Sequence, residues 1–239
     1  MKVLSIGNSF SEDAQRYLHA LAKHNGVDLR TFNLFIGGCS LRTHYLNMLD
    51  DRADYRYAYN GEYLGLKLSI GRALASNDWD YVTLQQASQL SPRYHSYTPY
   101  IEALADYVRK YCPHTKLMIH ETWAYEEGSD RLTALGFESA DAMLAAVRES
   151  YATAAEAVSA YGIIPSGEAM LLASKTGIEK VHRDGSHAAL GVGRYLLSLT
   201  WYRALTGRDI SGDTFLPPEG NLTEAEREIV IRAVNAVTA

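Results

Sequence analysis

Cysteine is scarce in this chain. Only Cys39 and Cys112 occur among 239 residues, far apart and in no CxxC pair. That is too few for a disulfide scaffold or a cysteine zinc site, and either fits as a small buried hydrophobe. Proline is also sparse, at six residues, and no Pro-rich or low-complexity linker interrupts the chain. No lysine/arginine cluster is present and the net charge is −5. Such a surface repels phosphate backbones on average, which argues against a nucleic-acid partner. No apolar run reaches the ~18 residues of a membrane span. Met1-Lys2 leads straight into a strand pattern, without the charged, apolar and small-residue regions of a leader. As it stands the sequence predicts a cytoplasmic protein, or a secreted or periplasmic one had a leader been removed.

What is present is ordinary: 47% hydrophobic, 21% charged, 18 glycines. A chain this long buries roughly 70–75% of its unfolded surface, enough to fold without metal or disulfide. Strand and helix patterns alternate. Strands are predicted at 3–6, 27–36, 79–84, 116–120 and 162–165. Helices are predicted at 11–24, 66–75, 100–111, 139–161, 168–174, 187–205 and 224–237. Residues 39–66 read as a tyrosine-rich excursion beyond the sheet, with Asn60-Gly61 as a hairpin turn and a subunit contact as one possible use. Alternation of this kind predicts parallel pairing with helices on both faces, a flavodoxin-like three-layer α/β/α sandwich of about five strands. One domain over 1–239 is the simplest account.

In such sheets ligands bind outside the carboxyl ends of the strands. The residues there are Gly7-Asn8-Ser9, Gly37-Gly38-Cys39, Gln85-Gln86 and Glu121-Thr122-Trp123. Ser9 has two readings. With Glu12 it forms a capping box, and Ser11 could cap equally well. Alternatively Ser9 is lifted to the sheet edge beside a helix N-terminus, where N–H groups favour developing negative charge; Gly7 would then allow a tight turn. A serine needs a base to react. The candidate lies in VHRDGSHAALG, where Asp184 stands three residues before His187 across a turn. A carboxylate there fixes the imidazole tautomer and stabilises the imidazolium. The competing reading has Asp184 or Ser186 capping a helix that His187 opens.

Taken together, these blocks resemble the SGNH/GDSL hydrolase superfamily, over about residues 2–206. Gly7-Asn8-Ser9-Phe10 is similar to its nucleophile block, Gly38 to its second-block glycine, and Asp184-Gly185-Ser186-His187 to its DxxH block. The chain looks most like a bacterial branch with GNSFS, LQQ-x-S and TWAY motifs, similar to carbohydrate acetylesterases. The resemblance implies Ser9, His187 and Asp184 as a triad. It implies an oxyanion site from the N–H groups of Ser9 and Gly38 and from the amide of Gln85, with Gln86 as the alternative. Asn8 stands where many relatives have Asp, and Leu84-Gln85-Gln86 replaces the usual Gly-x-Asn.

Asn8, Trp123 and Tyr125 are substrate-binding candidates, the two rings as a sugar-stacking wall; packing against the long helix is the alternative for them. His95 could line the pocket or lie on a surface loop. His120-Glu121 and His182 with His187 lack metal-ligand spacing, so no metal and no cofactor are expected. The function expected is hydrolysis of a short acyl ester on carbohydrate, with an oligomer possible and no membrane partner. A non-catalytic carbohydrate-binding module and a flavodoxin-like nucleotide binder are the competing classes.

Overall fold

A computed structural model describes residues 1–238. Its centre is a seven-stranded sheet in the order β4-β3-β2-β1-β5-β6-β7. The strands are β1 (Lys2–Gly7), β2 (Arg30–Phe35), β3 (Tyr55–Tyr59), β4 (Glu62–Leu68), β5 (Tyr81–Leu84), β6 (Lys116–Glu121) and β7 (Gly162–Pro165). The five from β2 to β7 across β1 run parallel. They are the five strands anticipated from the apolar runs. All four residues of β5 are buried, as expected of a strand covered on both faces.

The count of about five is corrected to seven by the tyrosine-rich segment. It does not leave the sheet but joins it, β3 antiparallel to β2 and β4 antiparallel to β3. The turn at Asn60-Gly61 has positive φ at both residues, the backbone a two-residue hairpin demands. The helix anticipated over 66–75 is split for the same reason. Leu66 to Leu68 belong to β4, and Ser69 caps a short helix α4 (Ile70–Leu74) by accepting from the Arg72 N–H. The apolar spacing of Leu66, Ile70 and Leu74 mimics a helix because two elements happen to abut.

The remaining helices are α1 (Ser9–Gln15), α2 (Leu18–His24), α3 (Leu41–Leu49), α5 (Tyr100–Tyr111), α6 (Asp130–Ala134), α7 (Ala140–Ala157), α8 (Ser166–Lys175), α9 (Val192–Thr206) and α10 (Glu224–Val237). Among them α1, α2, α8, α9 and α10 pack on one another, α7 packs on α8 and on β6 and β7, and α3 packs on α4 and α5. The single helix anticipated over 11–24 is broken at Arg16-Tyr17. Arg16 reaches the hairpin turn at the Gly61 carbonyl (2.7 Å), and the Tyr17 hydroxyl donates to the Leu190 carbonyl (2.6 Å). Tertiary bonds here override local helix preference.

The chain leaves β1 toward β2 on one side and returns to β5 on the other. The crevice between β1 and β5, at their carboxyl ends, is the topological switch point where doubly wound sheets hold ligands. Ser9 follows β1 and Gln85 follows β5. No described helix is long and apolar enough to cross a membrane.

Candidate active site

Asn8, not Ser9, caps α1. Its side-chain oxygen accepts from the Phe10 N–H (3.1 Å) with Asn8 itself extended. Ser9 is therefore the first helical residue, and no capping box forms. Its hydroxyl, relieved of that task, lies 2.9 Å from His187 Nε2. Gly7 is required by space rather than by an unusual φ: a Cβ there would meet Ser11 Oγ at 2.3 Å. Ser11 is pinned beneath the turn, its hydroxyl within bonding distance of the Asn8 carbonyl (2.8 Å) and of the Asn33 side chain (2.9 Å).

His187 does not open a helix. It lies in a tight loop closed by the His182–Ala188 bridge, well before α9 begins at Val192. Asp184 Oδ1 accepts from the backbone N–H of Ser186 (3.2 Å) and of His187 (2.9 Å), while His187 Nδ1 lies 2.8 Å from Asp184 Oδ2. A carboxylate only accepts, so Nδ1 carries the proton and Nε2 is the bare acceptor facing Ser9. Burial acts to raise the Asp184 pKa. Hydrogen bonds from the His187 backbone and ring, the positive charge the ring carries once protonated, and the Ser186 N–H outweigh it and hold the carboxyl well below the usual range. The His187 and Asp184 side chains are 26% and 46% exposed, so solvent reaches them.

The loop is locked to α1 by a residue that the motif reading does not single out. Asp13, buried, accepts from Arg183 Nη1 through both oxygens (2.9 Å each), from Arg194 Nε (2.9 Å) and from the Ala188 N–H (3.1 Å). One turn after Ser9, Asp13 thus grips the segments on either side of His187. Trp123, two residues beyond β6, grips the same loop, its Nε1 donating to the Ser186 carbonyl (2.7 Å).

At the second strand end, Cys39 N–H closes on the Ile36 carbonyl (3.1 Å), and Gly38 within that turn has φ +63°, a conformation glycine adopts without strain. The Gly38 N–H meets no acceptor among the described residues, and Gly38 is exposed. The two glutamines differ. Gln86 is fully committed to loops: Oε1 accepts from the Leu41 and Ala87 N–H groups, and Nε2 donates to the carbonyl and hydroxyl of Ser96. Gln85 Nε2 donates to Asn8 Oδ1 (2.8 Å).

Three substrate-contact candidates are buried. Asn8 is enclosed, capping α1 and donating to the Cys39 carbonyl (3.1 Å). Trp123 is fully enclosed, stacked on Phe10 at 4.0 Å, and Tyr125 is nearly so, bonded to Ser88. The sugar-stacking wall expected of the two rings is absent because both fill the core behind the loop. His95 is exposed on a one-turn helix, and His182 lies within bonding distance of the Ala124 carbonyl (3.1 Å).

A family model described as a domain of unknown function, DUF4886, matches residues 2–235. The chain belongs to the DUF4886 family. A DUF4886 protein of Bacteroides uniformis is 35% identical, with 99% of this chain and 94% of that one covered at a TM-score of 0.91. Beyond the family the likeness is one of fold. An acetyl xylan esterase is 14% identical over 86% of this chain and all of that one (TM-score 0.58). The esterase EstA of Pseudoalteromonas, in a structure inhibited by monoethylphosphonate, is 12% identical over 86% of this chain and 97% of that one (TM-score 0.56). The DUF4886 fold is thus that of GDSL-type esterases and lipases. No curated protein matches this DUF4886 chain.

Proposed function

We propose that this DUF4886 protein is a serine ester hydrolase with Ser9 as nucleophile, His187 as general base and acid, and Asp184 orienting the ring. The observation that carries the reading is the aligned pair of contacts at His187: Nε2 to Ser9 Oγ at 2.9 Å and Nδ1 to Asp184 at 2.8 Å. Nucleophile–base and base–orienter bonds in that order define the arrangement on any fold.

The reaction runs in two halves. The Ser9 hydroxyl proton passes to His187 Nε2 as Oγ bonds to the ester carbonyl carbon. The carbonyl electrons move to oxygen, where the Ser9 and Gly38 N–H groups and the Gln85 amide stabilise the charge. Collapse breaks the bond to the leaving alcohol, which takes the proton from Nε2. Water then repeats the sequence on the acyl-enzyme and frees the acid and Ser9. Each lost oxyanion donor slows such reactions by ~10²–10³. Asp184, held ionised, stabilises the imidazolium formed in each half.

The substrate we favour is a short acyl ester, chiefly acetyl, on carbohydrate. The acetyl xylan esterase among the fold neighbours supports this choice, as does a site open to solvent. The acting form is one domain over residues 1–239, of flavodoxin-like α/β/α layering, with no cofactor and no nucleic-acid or membrane partner.

The test is turnover of p-nitrophenyl acetate. Ser9→Ala and His187→Ala should each reduce kcat by at least ~10³-fold, and a p-nitrophenyl ethylphosphonate should transfer its phosphonyl group to Ser9 with release of p-nitrophenol, raising the mass of the peptide bearing Ser9 by that group. Turnover unchanged in both variants would remove the assignment. No turnover on any acetylated glycan, with Ser9 unlabelled, would favour a non-catalytic carbohydrate-binding module.

A further inference from the structure

A buried chain of side chains crosses the sheet beneath the nucleophile. His120, fully enclosed on β6, lies 3.1 Å from Ser166 Oγ through Nε2 and 2.6 Å from Gln85 Oε1 through Nδ1. Gln85 Nε2 meets Asn8 Oδ1 at 2.8 Å, and Asn8 Nδ2 meets the Cys39 carbonyl at 3.1 Å.

Every proton in this chain is dictated by two backbone groups. The Phe10 N–H only donates and the Cys39 carbonyl only accepts, so Asn8 must turn its oxygen to the first and its amide to the second. Asn8 oxygen then faces Gln85, which must answer with nitrogen. That leaves Gln85 oxygen toward His120, so Nδ1 carries the ring proton. Nε2 is consequently bare, and Ser166 donates to it. The reverse orientation of any member would set two donors or two acceptors against each other. Burial pushes the His120 pKa down to about 3, so the ring stays neutral and the single tautomer persists.

One hydrogen is left over. Gln85 Nε2 has two, and only one has an acceptor among the described residues. A buried amide hydrogen without a partner is uncommon, and this one belongs to a residue packed on the nucleophile turn, Gln85 Oε1 lying 3.3 Å from where a Cβ on Gly7 would sit.

We propose that His120 is a positioning residue that anchors the Gln85 amide by its oxygen, opposite the Asn8 contact, so that the remaining Gln85 N–H serves as the third oxyanion donor. This rests on the esterase reading of the site. His120 touches no reacting atom. Without it Gln85 Oε1 loses its buried donor, and the amide is held by Asn8 alone and can swing away from the oxyanion position.

The experiment is a double-mutant cycle on p-nitrophenyl acetate, with kcat, KM and the melting midpoint read for each protein. Gln85→Leu should lower kcat ~10²-fold. His120→Phe keeps the ring's bulk, and should lower kcat about 10-fold with KM within about twofold. His120→Asn, which keeps a donor at the Nδ1 position, should recover most of that loss. The double variant should be no slower than Gln85→Leu alone, because His120 acts only through Gln85. Should His120→Phe fail to fold, His120→Gln replaces it, reaching Ser166 but not Gln85, with the same loss expected. Wild-type kcat in the His120 variants, or a loss repeated in full on the Gln85→Leu background, would overturn the inference while Ser9-dependent turnover upheld the esterase reading. Turnover indifferent to Ser9→Ala would instead remove that reading, and this one with it.

Discussion

Asp13 and Arg16 stand three residues apart on one helix and its end, and each anchors a cluster of opposite charges. Asp13 is 1% exposed and holds Arg183 and Arg194 together with the Ala188 N–H. Arg16 pairs with Glu62, whose side chain is 74% exposed, and with Glu219, which is 37% exposed. The contact lengths are alike, 2.9 Å in the first cluster and 2.6 and 3.0 Å in the second. Distance therefore does not separate them; burial does. The first cluster joins the nucleophile's helix to the His187 loop. The second joins the same helix to the β3–β4 hairpin. A buried pair cannot be half-broken cheaply, because the surviving partners lose solvent as an alternative. An exposed pair exchanges its partner for water at little cost.

Asp13→Ala should show the largest effect. It removes the acceptor of the Ala188 N–H and the buried partner of two guanidinium groups, of which Arg194 keeps Glu219 (2.7 Å) and Arg183 keeps the Ala188 carbonyl. The expected loss is about 3–5 kcal/mol, nearer the lower figure because Arg183 is 31% exposed at its side chain. In a chain of this length that lowers the melting midpoint by roughly 6–12 °C. Turnover should fall as well, since the loop holding His187 loses its anchor to α1. Differential scanning calorimetry and ester turnover on the folded variant measure the two effects. A midpoint within a degree or two of the parent would mean that the buried cluster is no stronger than the exposed one.

Glu121 separates burial from pairing. It is 3% exposed and, unlike Asp13, forms no ion pair among the described residues; its oxygen accepts from the Glu168 N–H (3.1 Å), and Arg148 pairs with Glu168 instead. Burial, then the Glu168 charge, push its pKa up to about 8, against the pull of the Glu168 N–H, the Arg148 charge and the Gly167 N–H. Below its unfolded value, about 4, both states hold the proton and nothing is lost. Between there and pH ~8 the unfolded chain ionises while the folded one stays protonated, so stability falls as pH rises. Glu121→Gln removes the titration. The variant should match the parent near pH 4 and exceed it by a few kcal/mol at pH 8, since each tenfold difference in proton affinity between the two states is worth ~1.4 kcal/mol. Urea unfolding at the two pH values checks this; a constant difference would mean that Glu121 ionises freely in the fold.

These contrasts mark what can be read from the residues in order. Ser9 and the Asp184–His187 spacing are readable because each depends on neighbours a few residues away. The five parallel strands are readable because strands buried on both faces give continuous apolar runs. Asp13 is not, since its partners lie 170 and 181 residues along the chain; in sequence it is one of two acids in the first turns of a helix. The choice between Asn8 and Ser9 as cap is equally closed, because both residue types cap well and only the bond from the Phe10 N–H to Asn8 Oδ1 settles it. The hairpin is hidden as part of the sheet because β4 is exposed along nearly all its length. It lacks the in–out alternation that reveals a half-buried strand. His120 stands out in sequence only as a metal candidate, yet its partner Gln85 lies just beyond the end of the neighbouring strand, a relation that strand order alone reveals.

The smallest effect belongs to Glu62→Gln. Its ion pair with Arg16 is short, yet the carboxylate side faces water, and Arg16 keeps Glu219 and the Gly61 carbonyl when Glu62 is neutral. The expected change is about 0.5 kcal/mol or less. At ~1 M salt, where the screening length is about 3 Å, it should disappear. Most of the Asp13→Ala loss should survive the same salt, because Asp13 itself is 1% exposed and ions do not reach it. Unfolding of both variants at low and high salt puts the two clusters on one scale. If the Glu62 variant loses as much as the Asp13 variant, and keeps that loss in salt, then the hairpin is as firmly built into α1 as the His187 loop, and burial is not what sets the two apart.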